Sequence, residues 1–139
     1  MNVVKILMDL VRFMKNSRLT EAQMKELQNR KLREMLRFAW NHSAFYRRAF
    51  EKAGITEEQL DSLPLSAFPT IDKRILIEHF DELITVSDLR QEDLRKFDAQ
   101  TEADRKPYQG KYHVVHSSGS TGKPGYFIYD EAAWHTMLL

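Results

Sequence analysis

Residues 116–125 read HSSGSTGKPG, and the prediction for the whole 139-residue chain depends on this loop. Its glycines allow positive φ angles and the close approach of a ligand to the backbone. Successive free N–H groups in such a turn form a concavity that binds anions. Hydroxyls and an amine add donors and a positive charge. The side chains concerned are Ser117, Ser118, Ser120, Thr121 and Lys123, set around Gly119 and Gly122. This composition favours a polyphosphate ligand.

The segments on either side of the loop have the composition of β-strands. Residues 112–115 precede it and residues 126–129 follow it, and both are rich in aromatic and β-branched side chains. Pro124 pushes the residue before it towards extended geometry, so we expect the chain to leave as a strand. The loop is not a Walker A motif, which needs four residues between its glycines and then a helix. The sequence predicts a strand, a phosphate loop and a second strand.

Residues 2–15 predict an amphipathic helix. Its apolar stripe consists of Val3, Leu7, Leu10, Val11 and Met14. We expect this stripe to pack on the rest of the domain. The alternative is attachment to a membrane surface, with Lys5, Arg12 and Lys15 facing lipid headgroups.

Capping residues predict the helices that follow. Thr20 and Gln23 have capping-box spacing for a long helix that ends near Asn41. Ser43 is expected to cap the next helix, which stops at Gly54. Helix-spaced aromatic residues on the two sides of Ser43 predict a core; they are Trp40, Phe45, Tyr46 and Phe50.

Three regions are predicted along the chain. Residues 1–87 form a helical region, in which Thr70 caps a late helix. Residues 88–110 are strongly polar and are expected to form mostly a surface loop, with one or two helical turns anchored by Leu89 and Leu94. Residues 111–139 hold the strand–loop–strand unit and the start of a helix capped by Asp130. All three are expected to belong to one larger N-terminal domain.

Composition excludes several classes of protein. The chain has no cysteine, which rules out disulfides, thiolate metal sites and cysteine nucleophiles. No apolar run approaches the roughly 20 residues of a membrane span, so we expect a cytoplasmic protein. His113 and His116 are three residues apart, on opposite faces of a strand, which argues against a shared metal. We expect His116 to line the nucleotide or acyl side of the loop.

Charge is unevenly distributed along the chain. Residues 12–52 hold 11 Lys/Arg against 4 Asp/Glu, a net +7, and residues 57–104 hold 5 against 13, a net −8. We expect these segments to attract each other within the fold or across an interface. No nucleic-acid reader motif is present, so we expect no nucleic-acid partner.

The order SSGSTGKP, residues 117–124, resembles the phosphate-loop signature of the adenylate-forming enzymes, the superfamily of acyl-CoA synthetases, adenylation domains and luciferases. Two helical segments, WNHSAFYRRAFEKAGI (40–55) and LPLSAFPTIDKRILIEHFDELI (63–84), are similar to one branch of it. That branch contains phenylacetate–coenzyme A ligases and proteins named for capsular polysaccharide biosynthesis. The resemblance spans roughly residues 27–134. It departs after Pro124, where many members have a basic residue and a glycine and this chain has Gly125-Tyr126.

The resemblance implies an α/β parent fold, of which this chain is a mainly helical N-terminal fragment of α+β character. It implies ATP-dependent activation of a small-molecule carboxylic acid, followed by transfer to coenzyme A. The loop, Ser117 to Lys123, would hold the ATP phosphates. Mg²⁺ ligands and the catalytic residues would lie mostly elsewhere, so the fragment alone is expected to be inactive.

Two further expectations concern the hairpin and its function. An isolated two-stranded hairpin is marginal in water and has exposed edges. We therefore expect it to be loose or to pair with a second copy, giving a homo-oligomer. The alternative function is a non-catalytic helical interaction module in which the Ser/Gly loop merely turns the chain.

Overall fold

The structure, a computed structural model, describes residues 3–99, 106–117 and 124–138. Over these residues it is mainly helical and contains a two-stranded antiparallel sheet. The mainly α-helical α+β class predicted for this chain is therefore confirmed.

The first three helices begin and end close to the predicted residues. They are α1 (Val3–Asn16), α2 (Glu21–His42) and α3 (Ala44–Lys52). The predicted capping box is present, since Thr20 N–H donates to Gln23 Oε1 at 2.9 Å and Gln23 N–H donates to Thr20 Oγ1 at 3.3 Å. Ser43 caps α3, and the chain turns away at Gly54, where φ is +74°.

Two short 3₁₀ helices, Glu58–Asp61 and Leu65–Ala67, connect α3 to α4 (Lys73–Glu78) and α5 (Phe80–Leu83). The prediction that Thr70 caps α4 is wrong. Asp72 is the cap, because its extended backbone lets Oδ1 accept the N–H of Ile75 at 2.8 Å.

Residues 88–110 contain a helix where the sequence favoured mostly loop. Helix α6 covers Gln91–Asp98, and its Leu94 is fully buried, as is Leu89 just before it. The expected one or two helical turns are therefore present as α6, with charged side chains on the solvent side, where Glu92 and Lys96 pair at 2.9 Å. Leu89 and Leu94 do anchor the segment, as expected.

Strands β1 (His113–His116) and β2 (Tyr126–Tyr129) form the hairpin around the loop. They are antiparallel, with His113 opposite Tyr129 and His116 opposite Tyr126. Strand β2 lies where it was predicted, and β1 begins one residue later. Helix α7 (Glu131–Leu138) follows, and the predicted cap is confirmed because Asp130 Oδ1 accepts the N–H of Ala133 at 2.7 Å.

The buried side chains form two hydrophobic clusters. The first cluster consists of Leu36, Trp40, Phe50, Ile55, Leu60 and Phe68. The second cluster consists of Phe80, Leu89, Leu94, Tyr112 and Tyr126. Tyr126 of β2 is 3% exposed in the second cluster, so this end of the hairpin packs against the helices, and the expectation of a loose or paired hairpin stays a prediction. Of the predicted aromatic core, Trp40 and Phe50 are buried and Phe45 and Tyr46 are half-buried.

Ion pairs join the basic and the acidic segments within the chain. Arg37 pairs with Asp61, and Arg48 pairs with Glu82. Arg33 also donates from Nη1 to the carbonyl oxygens of Leu60 and Leu63 at 2.8 and 2.7 Å. The expected attraction between these segments therefore occurs inside the fold. In the described ranges, no helix has both the length and the apolar character needed to cross a bilayer.

Helix α1 differs from its prediction in how it is oriented. Leu7, Val11 and Met14 of its apolar stripe are exposed, and Asp9 is buried. The expected packing of this stripe on the domain is wrong. Periodicity showed which side chains share a face of α1 but not which face the domain covers.

Candidate functional site

The predicted phosphate loop connects β1 to β2. Of the seven residues predicted to bind phosphate, the structure describes Ser117. The other six, Ser118, Gly119, Ser120, Thr121, Gly122 and Lys123, lie outside the described residues. The geometry of the site is therefore built from the residues at the two ends of the loop and from the elements packed against them.

Two hydrogen bonds join the ends of the loop at Ser117 and Gly125, which we call the loop neck. Ser117 N–H donates to the carbonyl oxygen of Gly125 at 3.0 Å. Gly125 N–H donates in return to Ser117 Oγ at 3.0 Å. The Ser117 hydroxyl thus accepts one hydrogen bond and retains its own hydrogen to donate to another group. This pair of bonds extends the hairpin by one step and fixes where the loop starts and finishes.

Helix α4 packs against the loop neck at Gly125, which is buried. A Cβ at this position would lie 3.4 Å from Leu76 Cδ2, 3.6 Å from Ser117 Oγ and 4.0 Å from Lys73 Cε. The absence of a side chain therefore allows α4 to approach the neck closely. As a result, the side chain of Lys73, the exposed first residue of α4, lies beside the neck.

The sequence reading did not assign Lys73 to the site. The available signal was the lysine-bearing helix within residues 63–84, one of the segments that carries the family resemblance. Helical periodicity predicts that Lys73 is exposed, but it does not indicate which distant segment of the chain lies next to this residue. The close approach of Leu76 and Gly125, 49 residues apart (125 − 76), supplies that information.

His116 contacts an acidic residue beside the loop. Its Nε2 lies 3.4 Å from Asp98 Oδ1, and its Nδ1 lies 3.4 Å from the carbonyl oxygen of Ser117. Both ring nitrogens of His116 therefore face acceptor oxygens. Asp98, at the end of α6, was missed in the sequence because it was assigned to a surface loop. His116 lies next to the loop neck, as expected.

An apolar cavity of about 490 Å³ lies between the hairpin and helices α3 to α5. Its walls include Leu76, Phe80, Tyr112 and Tyr126, and Leu76 is the residue that also contacts the loop neck. Small-molecule sites in proteins commonly occupy about 300–1,000 Å³ and have mainly apolar walls. Burial raises the pKa of Tyr46, another wall residue, above its ordinary value.

Two histidines share one carboxylate on the other side of β1. Glu131 Oε2 lies 3.1 Å from His113 Nε2, and Glu131 Oε1 lies 3.2 Å from His135 Nε2. The hydrogen bond from His113, helped by the charge of His135, lowers the pKa of Glu131. His113 also stacks on Trp134 with ring centroids 4.5 Å apart. These contacts fasten α7 to β1.

His113 and His116 thus have different carboxylate partners and do not converge on a common point. Among the residues that the structure describes, no group of three or more His, Asp or Glu side chains is arranged to hold a metal ion.

Comparison with protein-family models finds none that matches this chain, and comparison with curated proteins finds no significant match either.

Proposed function

We propose that this chain supplies the phosphate-binding part of an ATP-dependent, AMP-forming ligase that activates a carboxylic acid and passes it to a thiol such as coenzyme A. The observation that carries the proposal is the loop neck, where Ser117 and Gly125 are joined twice at 3.0 Å with Lys73 beside them. The resemblance of residues 117–124 to the adenylate-forming signature supports the same function.

The loop acts by binding and neutralising phosphate. ATP contributes a pyrophosphate leaving group when a carboxylate oxygen attacks its α-phosphorus. The loop hydroxyls and Lys123 bind the β- and γ-phosphates, and Lys73 adds a second positive charge at the neck. Fixed donors and cations of this kind stabilise charge that develops during phosphoryl transfer. Because the neck is already closed, the start and finish of the loop need no ordering when the nucleotide binds.

The apolar cavity next to the neck is suited to the uncharged part of a ligand. Leu76 lines the cavity and contacts the neck, so a molecule there would lie close to the phosphates. We assign this cavity to an apolar carboxylic acid or to the adenine ring. In the parent α/β fold, further chain would complete the site. The resemblance implies that Mg²⁺ would be held by the phosphates and by ligands mostly outside this chain.

Isothermal titration calorimetry of the 139-residue chain tests the proposal. We expect pyrophosphate and ATP, each with Mg²⁺, to bind, and AMP to bind at least about tenfold more weakly because it lacks the β- and γ-phosphates. Lys123→Ala should weaken ATP binding about tenfold or more, the effect of losing a charge-assisted hydrogen bond. Lys31→Ala, an exposed lysine of α2, is the control and should bind ATP like the parent chain.

Two results would contradict the proposal. The first is equal affinity for AMP and ATP, which would remove the β- and γ-phosphates from recognition. The second is ATP affinity unchanged by Lys123→Ala, which would indicate that the loop only turns the chain.

A further inference from the structure

Helix α1 presents an apolar face to solvent. Leu7, Met8, Val11 and Met14 are between 52% and 67% exposed. Positions three and four residues apart lie on one side of a helix, so these four side chains form a continuous strip. We call this strip the α1 apolar face. Contiguous apolar surface of this kind marks a site of interaction with a protein or a membrane.

The opposite side of α1 is less exposed than the α1 apolar face. Ile6 and Phe13 are half-buried, and Asp9 between them is 8% exposed. The carboxylate of Asp9 is paired with Arg12 at 2.8 Å. The helix therefore buries its acidic residue and exposes its apolar ones, the reverse of what a helix packed on a domain usually does.

This orientation makes the exposed side of α1 cationic as well as apolar. Residues 3–18 contain four Lys/Arg and one Asp, and that Asp is the buried Asp9. Lys15 follows Val11 by one helical turn, so it lies at the end of the α1 apolar face, and it is exposed. Arg18 is exposed just beyond the helix. Long cationic side chains can place their stems along apolar groups while their charges reach lipid phosphates.

We propose that the α1 apolar face docks on an anionic membrane surface, with the helix lying in the plane of the interface. Apolar residues on one side and lysine or arginine beside them are the properties of interfacial helices. The 14 residues of α1 extend about 21 Å, too short for the roughly 30 Å hydrocarbon core of a bilayer. The helix lies on the membrane and does not span it.

Charge favours a membrane over a second copy of the chain as the occupant. Pairing two α1 faces would bring together two segments that each carry four Lys/Arg against one Asp, so both have a net positive charge. Like charges in close juxtaposition oppose association. An anionic lipid surface attracts each of these cations, and their contributions add.

Vesicle co-sedimentation of the 139-residue chain tests the proposal. One set of vesicles is pure phosphatidylcholine, and the other contains about one third phosphatidylglycerol, which gives the negative surface potential. We expect binding to the anionic vesicles, at least about tenfold weaker binding to the neutral ones, and loss of binding as salt is added.

Variants separate the apolar and the charged contributions. Leu7→Glu and Val11→Glu should each weaken vesicle binding roughly tenfold, because each places a carboxylate in the α1 apolar face. Lys15→Ala and Arg18→Ala should each weaken it about fivefold. Leu65→Glu is the matched control: Leu65 is 63% exposed on a 3₁₀ helix outside α1, and this variant should bind as the parent chain does. Circular dichroism of each variant serves as the check that its helix content is unchanged.

Equal binding to neutral and anionic vesicles would overturn the role given to Lys15 and Arg18 in attracting the helix to anionic lipid. Failure to bind either kind of vesicle would overturn the proposal altogether. A dimer that is abolished by Val11→Glu, measured by sedimentation in the absence of vesicle binding, would overturn it in favour of a second copy. None of these outcomes depends on whether the loop binds ATP.

Discussion

The two hydrophobic clusters are built from different parts of the chain. The first cluster uses residues 36–68, a continuous stretch in which neighbouring helices fold back on each other. The second cluster joins residues from α5, α6 and the hairpin, and its outer members, Phe80 and Tyr126, are 46 positions apart (126 − 80). The difference shows that one part of the molecule is a locally folded scaffold and the other is assembled from distant segments around the loop.

The second cluster is the one that positions the candidate site. Tyr126 begins the strand that follows the loop neck, and its ring packs against Phe80 with centroids 6.4 Å apart. Closing a long loop opposes folding by an entropy that the first cluster, with shorter connections, largely avoids. We therefore expect the second cluster to open locally more often than the first.

The largest effect is expected from Phe50→Ala in the first cluster. Phe50 is 2% exposed and its ring contacts those of Trp40 and Phe68, so the change leaves a large cavity. We expect the free energy of unfolding to fall by about 3–5 kcal/mol. Chemical denaturation measures this, with the 47%-exposed Phe38→Ala as control. A fall below about 1 kcal/mol would show that the first cluster is not the scaffold.

Leu94→Ala makes the corresponding change in the second cluster. Leu94 is fully buried, and we expect a loss of about 2–4 kcal/mol concentrated around the hairpin. Amide hydrogen exchange should accelerate in β1 and β2 and change little at Ile55 and Leu60. Leu65→Ala, 63% exposed, should leave exchange unchanged. Acceleration spread evenly over both clusters would mean that they open as one unit.

Much of the helical part could be predicted because its signals are local. The capping box of Thr20 and Gln23 and the cap at Asp130 depend on residues three apart, and both are present. Strand β2 was predicted because aromatic and β-branched residues run together without a break.

Other features could not be predicted, for physical reasons. The anchors of α6, Leu89 and Leu94, were predicted, but the bounds of the helix were not, because the side chains around these anchors are charged and face solvent. The orientation of α1 could not be foreseen, since periodicity gives a face but not the surface that covers it. The approach of Lys73 to the loop neck depends on tertiary packing between α4 and Gly125. The loop itself was recognised from composition and order of residues, and its role in binding phosphate stays a prediction.

Ser117→Ala tests the loop neck, and its expected effect on stability is smaller than that of Phe50→Ala or Leu94→Ala. It removes the acceptor of the Gly125 N–H, a buried donor, and should destabilise the hairpin by about 1–2 kcal/mol. We expect the Gly125 amide to exchange faster while the first cluster is unaffected. Ser117→Thr keeps a hydroxyl and should recover most of the protection. Unchanged exchange at Gly125 in Ser117→Ala would show that the side-chain bond does not hold the neck.

The smallest expected effect on stability is that of a change in pH. Hydrogen bonds from Lys111 and Tyr112 lower the pKa of Asp88, and the bond to Asp88 raises the pKa of Lys111. A lowered carboxyl pKa stabilises the fold above its ordinary value of about 3.9, and this contribution disappears as pH falls through the folded pKa. The raised lysine pKa contributes fully below about 10.4 and is lost as pH rises through its folded value.

These bonds join Asp88 to Tyr112 of the second cluster, so acid should remove their contribution to the stability of the fold. The test compares the denaturation midpoints of the parent chain and of Asp88→Asn. The measurements run from about pH 2.5 to about pH 7, the range over which carboxylates titrate. The difference between the two proteins should shrink as pH falls below about 4. A constant difference at every pH would contradict the role given to Asp88.

The central claim is that the loop held by the second cluster binds phosphate, and nuclear magnetic resonance of the chain during a pyrophosphate titration tests it most directly. We predict saturable shifts of the Ser117 and Gly125 amides with little change at Ile55 and Leu60, and much weaker shifts with AMP. Pyrophosphate that leaves the Ser117 and Gly125 amides unmoved, or moves both clusters equally, would contradict the account.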